Sequence, residues 1–216
     1  MKKITVLLLF LLFSGIILAQ STKIGIRVGG NLSNQKIENE GFDFFNIDYD
    51  TESLIGWQAG LFINSSINDA ISIQPELLIA RKGYQYDDNG IEVTVDPLYI
   101  HLPVPILVNL NVSELDFFIG AGPYLSYGIG GEGEFEGSLG DFDLVTNGDI
   151  EWGDDSDDTY RPFDAGAVFT AGFNVTEKVQ VNVSYELGLR NIQANGDSDN
   201  EVRNRSFLVN LGYFIN

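Results

Sequence analysis

The sequence predicts an all-β fold: an eight-stranded antiparallel up-and-down transmembrane β-barrel with long extracellular loops. Three observations support this prediction. Apolar and polar residues alternate in segments of about ten residues or more, and no helical period competes with the alternation. The connections between these segments are short and long in turn. Aromatic residues gather near the segment ends, as they do in the interfacial girdles of membrane barrels.

Eight alternating segments are expected to form the strands. They lie near residues 22–32, 53–64, 70–84, 92–111, 116–129, 162–174, 178–191 and 204–215. In the seventh segment the odd positions from Val179 to Leu189 are apolar, whereas Gln180 and its even-numbered neighbours are mostly polar. An eight-stranded barrel has a lumen just wide enough for side chains, so we expect the small and polar face inside and the apolar face outside.

The connections predict which end of the barrel faces outward. Tight turns are expected at residues 65–69, 113–114 and 175–177, and long loops at about 33–52, 85–91, 130–161 and 192–203. In an even-stranded meander the two kinds of connection fall at opposite ends, with short turns in the periplasm and long loops outside. The loop from 130 to 161 contains eleven acidic residues, which predicts a mobile, hydrated loop.

Composition and the first residues predict an exported, acidic protein of a single domain. Residues 1–20 combine Lys2 and Lys3 with a short apolar run and a small residue near the end, the pattern of a secretory signal peptide. Residues 21–216 are then the barrel domain, located in the bacterial outer membrane after export through the inner membrane. The formal charge of −19 disfavours nucleic-acid binding. The absence of cysteine excludes disulfides, thiolate metal sites and cysteine nucleophiles.

Three segments resemble PorT-like outer-membrane β-barrel proteins, which are small barrels of the OmpA type. They are KIGIRVGGNLSN (23–34), LYIHLPVPILVNL (98–110) and NRSFLVNLGYFIN (204–216). The resemblance implies an eight-stranded barrel. It implies no specific activity for most members and an association with protein secretion for one. His101 stands where an acidic residue is common in the family.

Charged residues at inward positions predict an ion-pair network that fills the lumen, because buried charges need partners. Its members are Lys23, Arg27, Glu76, Lys82, Asp164, Glu186 and Arg190. A filled lumen favours a non-enzymatic envelope or surface-interaction protein. General porins have 16 to 18 strands, about twice the predicted number.

A hydrolase is the first alternative. His101 is the only histidine, and a two-residue turn at 113–114 would place it opposite Ser126 with both side chains inward. A serine beside an imidazole base is the arrangement that nucleophilic catalysis requires. The non-catalytic interpretation of the same pair is a structural hydrogen bond within the lumen. A second alternative is a soluble periplasmic ligand-binding barrel, in which the apolar face would point inward.

Other ligands and partners are predicted only in outline. Asp154, Asp155, Asp157 and Asp158 could bind a divalent cation weakly, but their spacing does not match the twelve-residue calcium loop. No cofactor is expected. The expected partners are outer-membrane lipid and lipopolysaccharide, with a protein of unknown identity at the extracellular loops, and the protein is expected to be a monomer.

Overall fold

The computed structural model describes residues 21–39, 52–88, 91–112, 115–139, 142–155, 158–194 and 200–216. The predicted signal peptide, the turn at 113–114 and part of each predicted long loop lie outside these residues. The described residues form twelve strands, with no helix long and apolar enough to cross a membrane among them. The strands are β1 (Ser21–Asn39), β2 (Glu52–Ser66), β3 (Ile71–Ile73), β4 (Glu76–Arg81), β5 (Tyr84–Asp88), β6 (Ile91–Pro103), β7 (Ile106–Val112), β8 (Leu115–Leu139), β9 (Phe142–Asp149), β10 (Phe163–Asn174), β11 (Val179–Gly188) and β12 (Asn200–Phe214).

All strand pairings given by the register are antiparallel, and β1 pairs with both β2 and β12, so the first and last strands meet. The all-β antiparallel prediction is therefore confirmed. The predicted number of eight strands is not, because the structure divides the sheet into twelve. The predicted third segment contains β3, β4 and the start of β5, the fourth contains β6 and β7, and β9 was not expected.

Local chemistry explains the additional strand boundaries. Pro75 separates β3 from β4 and Pro105 separates β6 from β7, and a proline has no N–H for the ladder. Gly83 separates β4 from β5, where a Cβ atom would lie 1.8 Å from the carbonyl oxygen of Val95. The backbone therefore approaches β6 at this point more closely than any other residue type would allow.

The apolar face of the sheet points outward, as predicted. Val209 and Leu211 on β12 are 52% and 49% exposed, whereas Asn210 between them is buried. Gln180 and Asn182 on β11 are buried as well. This orientation is the one that a bilayer requires, and it excludes the soluble barrel with an apolar cavity.

A bulge in β8 changes which of its residues point outward. Tyr99 pairs with Gly128 but Leu98 pairs with Gly130, so one extra residue is inserted in β8. Gly131, just beyond it, has φ +136°, a value that favours glycine. Before the bulge the odd residues of β8 point outward, and after it the even residues do. This shift places three glutamates, Glu132, Glu134 and Glu136, on the outer surface.

The predicted long loops are wrong in part, because strands extend into them. β1 continues to Asn39, β8 continues to Leu139 and pairs with β9, and β12 already begins at Asn200. We call the parts of the strands beyond the bulge, with β9 and residues 150–155 and 158–162, the outer extension. Its strands pair by backbone hydrogen bonds that single-sequence alternation did not reveal.

Residues 150–155 and 158–162, which belong to the predicted hydrated loop, fold over the mouth of the sheet. Ile150 and Tyr160 are buried with residues of three other segments. This hydrophobic cluster, which we call the cap, consists of Val95, Ile150, Tyr160, Ile192 and Val202, with Trp152 packed against it. Burial of these apolar side chains outweighs the acidic composition of the segment.

Candidate functional site: the buried lumen

The lumen contains two groups of buried charges. The first is nearer the tight-turn end of the sheet and consists of Arg27 and Glu76, with Nη1 2.8 Å from Oε1 and both side chains at most 5% exposed. Arg27 Nη2 also donates to Gln180 Oε1 at 2.5 Å, and Gln74 Nε2 donates to Glu76 Oε1 at 3.1 Å. These hydrogen bonds offset part of the free energy that the two charged groups lose when they leave water.

The second group joins Lys82, His101 and Glu186. The ammonium of Lys82 forms a salt bridge with Glu186 Oε2, while His101 Nε2 lies 2.9 Å from Glu186 Oε1. Lys82 Nζ is also 3.2 Å from His101 Nε2. All three side chains are almost completely buried. Glu186 is therefore the common partner of two basic groups.

Ser126 completes this second group. His101 pairs with Ser126 across β6 and β8, as the predicted two-residue turn requires, and His101 Nδ1 lies 2.7 Å from Ser126 Oγ. A carboxylate only accepts hydrogen bonds, so His101 Nε2 donates to Glu186, and in the neutral imidazole Nδ1 accepts from the serine hydroxyl. Serine, imidazole and carboxylate are thus connected in series.

Asp164 lies beside this group but is held by neutral donors. Its Oδ2 accepts hydrogen bonds from Tyr124 Oη at 3.2 Å and Asn204 Nδ2 at 3.0 Å. The structure brings five of the seven predicted network residues into the lumen interior: Arg27, Glu76, Lys82, Asp164 and Glu186.

Lys23 and Arg190 are corrections to the predicted network, because both side chains are exposed. Lys23 Nζ lies 5.3 Å from the ring centre of Phe214, and the Arg190 guanidinium lies 5.0 Å from that of Phe163. Lys23 is near the start of β1 and Arg190 follows the end of β11, so both reach water at opposite ends of the sheet. Their contacts are cation–π contacts with aromatic rings.

The lumen leaves little free space between the two charged groups. The cavity there, lined by Arg27, Glu76 and Glu186, has a volume of about 10 Å³, enough for roughly one water molecule. On the outer side, Tyr99 contacts Trp152, with ring centres 5.3 Å apart, and Trp152 contacts Tyr160 at 6.1 Å. The ring of Trp152 therefore lies between Tyr99 and Tyr160, against Gly128 of β8.

In the outer extension, burial shifts the pKa of two groups, Asp96 and Tyr160. Burial raises the pKa of the Asp96 carboxyl, an effect that Arg81 Nη1 at 2.6 Å partly offsets. Burial also raises the pKa of Tyr160 well above its usual value, so its hydroxyl stays protonated and donates to Gln35 Oε1 at 2.9 Å. The Tyr160 hydrogen bond fixes the cap to β1.

The predicted cation ligands do not form a metal site among the described residues. Asp154 accepts from Arg161 Nε at 2.7 Å, and Asp158 Oδ2 accepts from the backbone N–H of Asp155 at 2.8 Å. Asp157 lies outside the described residues. No group of three acidic or histidine side chains is close enough to bind a metal in the ranges that the structure describes.

Several lumen residues were missed by sequence reasoning, which considered charges first. Gln74 and Gln180 are bonded to the first charged group, and Trp152 closes the space above Tyr99. Alternation predicted that Gln180 points inward, but not its hydrogen bond to Arg27. No local signal identifies Trp152, because its position depends on contacts with Tyr99 and Tyr160, which are distant from it or follow it in the chain.

A family model described as "Outer membrane protein beta-barrel domain" matches residues 5–214. The chain therefore belongs to this family of outer-membrane barrel proteins. It is located in the bacterial outer membrane. None of the curated proteins matches the chain significantly.

Solved structures of outer-membrane proteins resemble the chain at low sequence identity. OprG of Pseudomonas aeruginosa is 10% identical, with a TM-score of 0.49 and coverage of 91% of this chain and 97% of OprG. Neisserial surface protein A is 11% identical, with a TM-score of 0.44 and coverage of 90% and 99%. The attachment invasion locus protein Ail of Yersinia pestis is 14% identical, with a TM-score of 0.42 and coverage of 91% and 100%.

Proposed function

We propose that this chain is an eight-stranded outer-membrane barrel with a closed lumen that acts as a non-enzymatic envelope or surface-interaction protein. The observation that supports the proposal is the contrast between a lumen filled by paired charges and an outer extension that is folded and acidic. The first excludes bulk flow, and the second presents a defined surface to the outside.

The twelve strands reduce to eight membrane crossings in this proposal. β3, β4 and β5 all pair with β2 and follow one another along the chain, so they form one crossing. β6 and β7 both pair with β8 and form another. β9 pairs with β8 only beyond the bulge and stays outside the membrane. The tight turns then face the periplasm.

The outward surface of the extension is strongly acidic. Glu92 lies directly opposite Glu136, and Asp96 lies directly opposite Glu132. Like charges directly opposite each other destabilise a sheet. These pairs therefore do not serve folding stability, and we infer that they serve binding at the surface. We place the interaction with an external protein on this surface. Contact of this surface with lipopolysaccharide, which is also anionic, requires divalent cations that bridge the negative groups. The secretion association implied by the PorT-like resemblance and the monomeric state stay predictions.

Conductance and site-specific cross-linking test the proposal together. In planar bilayers we expect no stable open channel for the wild-type protein. A photo-reactive amino acid at Val145, exposed on β9, should cross-link to lipopolysaccharide or protein on intact cells. The same amino acid at Ile67, exposed in a tight turn, should not give these products. A steady ohmic conductance, or identical products at both positions, would contradict the proposal.

A hydrolase is the second candidate, favoured by the series of contacts Ser126, His101 and Glu186. In this function His101 would take the proton of the serine hydroxyl, and Glu186 would orient the imidazole. Hydrolysis of a soluble ester that disappears in Ser126→Ala, with the heat-dependent gel shift of a folded barrel retained, would establish it. We expect no such activity, because the lumen beside Glu186 has a free volume of only about 10 Å³.

A further inference from the structure

Three basic side chains lie together on the outer face of β1 and β12, away from the acidic face of β8 and β9. They are Lys36, Arg203 and Arg205, three of the twelve lysines and arginines of the chain. Lys36 lies directly opposite Arg203, and Arg205 follows two residues further along β12. Asn204 and Ser206, on either side of Arg205, are buried, so Arg205 points away from the lumen. We call these three residues the basic patch.

The basic patch lies just beyond the apolar band of the transmembrane strands. Phe207 on β12 is exposed, with Leu32 of β1 directly opposite on one side and Tyr185 of β11 on the other. Arg205 is two residues nearer the outer end than Phe207, about 7 Å along a strand. An apolar band flanked by aromatic residues marks the hydrocarbon region of a membrane barrel. The patch is therefore at the depth of the lipid head groups.

Only part of the positive charge of the patch is paired within the described residues. One row further out, Glu38 and Glu201 are directly opposite each other, and Arg203 forms a salt bridge with Glu201. Arg205 forms no salt bridge with a described residue, and its Nε atom has no hydrogen-bond partner among them. Lys36 and Arg203 are like charges in directly opposite positions, which destabilises a sheet. An external anion would offset this cost.

An apolar groove lies on the same strands, on the membrane side of the basic patch. Its volume is about 470 Å³, and its lining includes Val28, Gly30, Val181, Val209 and Leu211. Gly30 leaves the groove open, because a Cβ atom there would meet only the carbonyl oxygen of Gly56, at 4.0 Å. Val209 is four residues from Arg205, about 14 Å along β12. An acyl chain in the groove can therefore belong to the same molecule as a head group at the patch.

The combination of patch and groove selects among anionic ligands. A soluble phosphate compound would use the patch and leave the groove unoccupied. A lipid without a negative charge would fill the groove and leave Arg205 without a partner. Nucleic acid is disfavoured by the formal charge of −19. An anionic lipid in the outer leaflet uses both features.

We propose that this site binds a phosphate group of lipopolysaccharide directly, with one acyl chain of the same molecule in the groove. A phosphate monoester carries a charge of about −1.5 to −2 and accepts several hydrogen bonds, so it can bind Lys36, Arg203 and Arg205 together. The inference rests on the proposed function for the orientation of the barrel, with the tight turns in the periplasm. Unlike the acidic surface of β8 and β9, this site needs no bridging cation.

Native mass spectrometry of the full chain in a neutral detergent tests this proposal. The probe is lipid A, the phosphorylated lipid part of lipopolysaccharide, in the presence of excess EDTA. Lipid A should bind about tenfold more tightly than lipid A from which the phosphates have been removed, and more tightly than phosphatidylglycerol, whose phosphate diester carries a single charge. Loss of binding in EDTA, or equal binding of either comparison lipid, would overturn the proposal.

Competition with inorganic phosphate separates a lipid site from a site for free phosphate. Millimolar phosphate should displace little lipid A, because it gains no contact with the groove. Complete displacement would show that the patch recognises phosphate alone, and would overturn the assignment of a lipid ligand.

Substitutions in the two parts of the site provide the matched comparison. Arg205→Gln should weaken binding of lipid A about tenfold, the effect of one lost hydrogen bond between charged groups. Lys178→Gln, exposed at the tight-turn end, removes the same charge elsewhere and should leave binding unchanged. Gly30→Leu should weaken binding by filling the groove, whereas Ala121→Leu on the exposed face of β8 should not.

Unchanged affinity in both Arg205→Gln and Gly30→Leu, with the heat-dependent gel shift intact, would show that lipid A binds elsewhere. This result would leave the proposed function standing, because cross-linking of an external protein at Val145 does not depend on the basic patch. Loss of the cross-link with lipid A binding retained would be the opposite result, and would contradict the surface role alone.

Discussion

The lumen and the outer extension are built from the same strands, but the inward face is polar in the lumen and apolar in the extension. On β6, His101 is buried in a polar lumen while Ile100 beside it is exposed to lipid. Six positions earlier, Val95 is buried in the apolar cap, and its neighbour Asp96 is on the outer surface. The backbone direction and the inward parity of β6 are the same in both places. The difference shows that the surrounding solvent, lipid or water, selects which face must be apolar.

This contrast also explains the different strength of individual interactions. In the lumen a charge without its partner has no access to water, so a single deletion is costly. On the outer surface of β8 in the extension the glutamates are exposed to water and screened by salt, so a single deletion changes little. The following predictions test the contrast, beginning with the largest expected effect.

Glu186→Ala should cost about 3–5 kcal/mol of unfolding free energy, because it leaves Lys82 and His101 buried without their common carboxylate. Urea unfolding of the protein in phospholipid vesicles, followed by tryptophan fluorescence, measures the loss. Glu134→Ala, on the outer surface of β8, is the control and should change the free energy by less than about 0.5 kcal/mol. Similar values for both variants would show that the lumen is hydrated.

Leu211→Lys should cost about 2–4 kcal/mol, because it places a charge on the face that contacts the hydrocarbon region. Val145→Lys on β9 is the matched control, since Val145 is 58% exposed and Leu211 is 49% exposed. The control should be nearly neutral under the same urea unfolding. If both substitutions were neutral, Leu211 would not face lipid.

Ile192→Val should destabilise the cap by about 0.5–1.5 kcal/mol, the usual effect of removing one buried methylene group. The expected result is faster tryptic cleavage after Arg161 and Arg190 without a change in unfolding of the transmembrane strands. Ile55→Val, at a position that is 80% exposed, serves as the comparison. Equal cleavage of the two variants would show that the cap is not stabilised by this cluster.

Glu136→Gln should stabilise the outer extension slightly, by about 0.2–1 kcal/mol, because it removes the repulsion from Glu92 directly opposite. Backbone amide exchange of β8 and β9 at low ionic strength measures the gain. The gain should vanish in about 1 M salt, where the Debye length is about 3 Å. A gain that persists in high salt would have a cause other than charge repulsion.

Much of the fold and part of the site followed from the sequence. Alternation around Gln180 and Leu211 gave the inward and outward faces, because lipid and a narrow lumen impose a strict two-residue period. A turn of two residues at 113–114 was enough to place His101 opposite Ser126, because antiparallel register is fixed by the turn. Lys23 and Arg190 were assigned to the lumen incorrectly, since alternation does not show where a strand leaves the membrane.

Local alternation determined by itself that strands, and not helices, cross the bilayer, and which side chains they turn inward. Only the tertiary structure revealed the pairing of Glu186 with Lys82 and His101, the outward shift of three glutamates after the bulge, and the cap formed around Ile150 and Tyr160. The physical reason is the range of the interactions. A two-residue period depends only on residues that are adjacent in the sequence. Ion pairs, register shifts and apolar clusters depend on segments that are far apart in the chain.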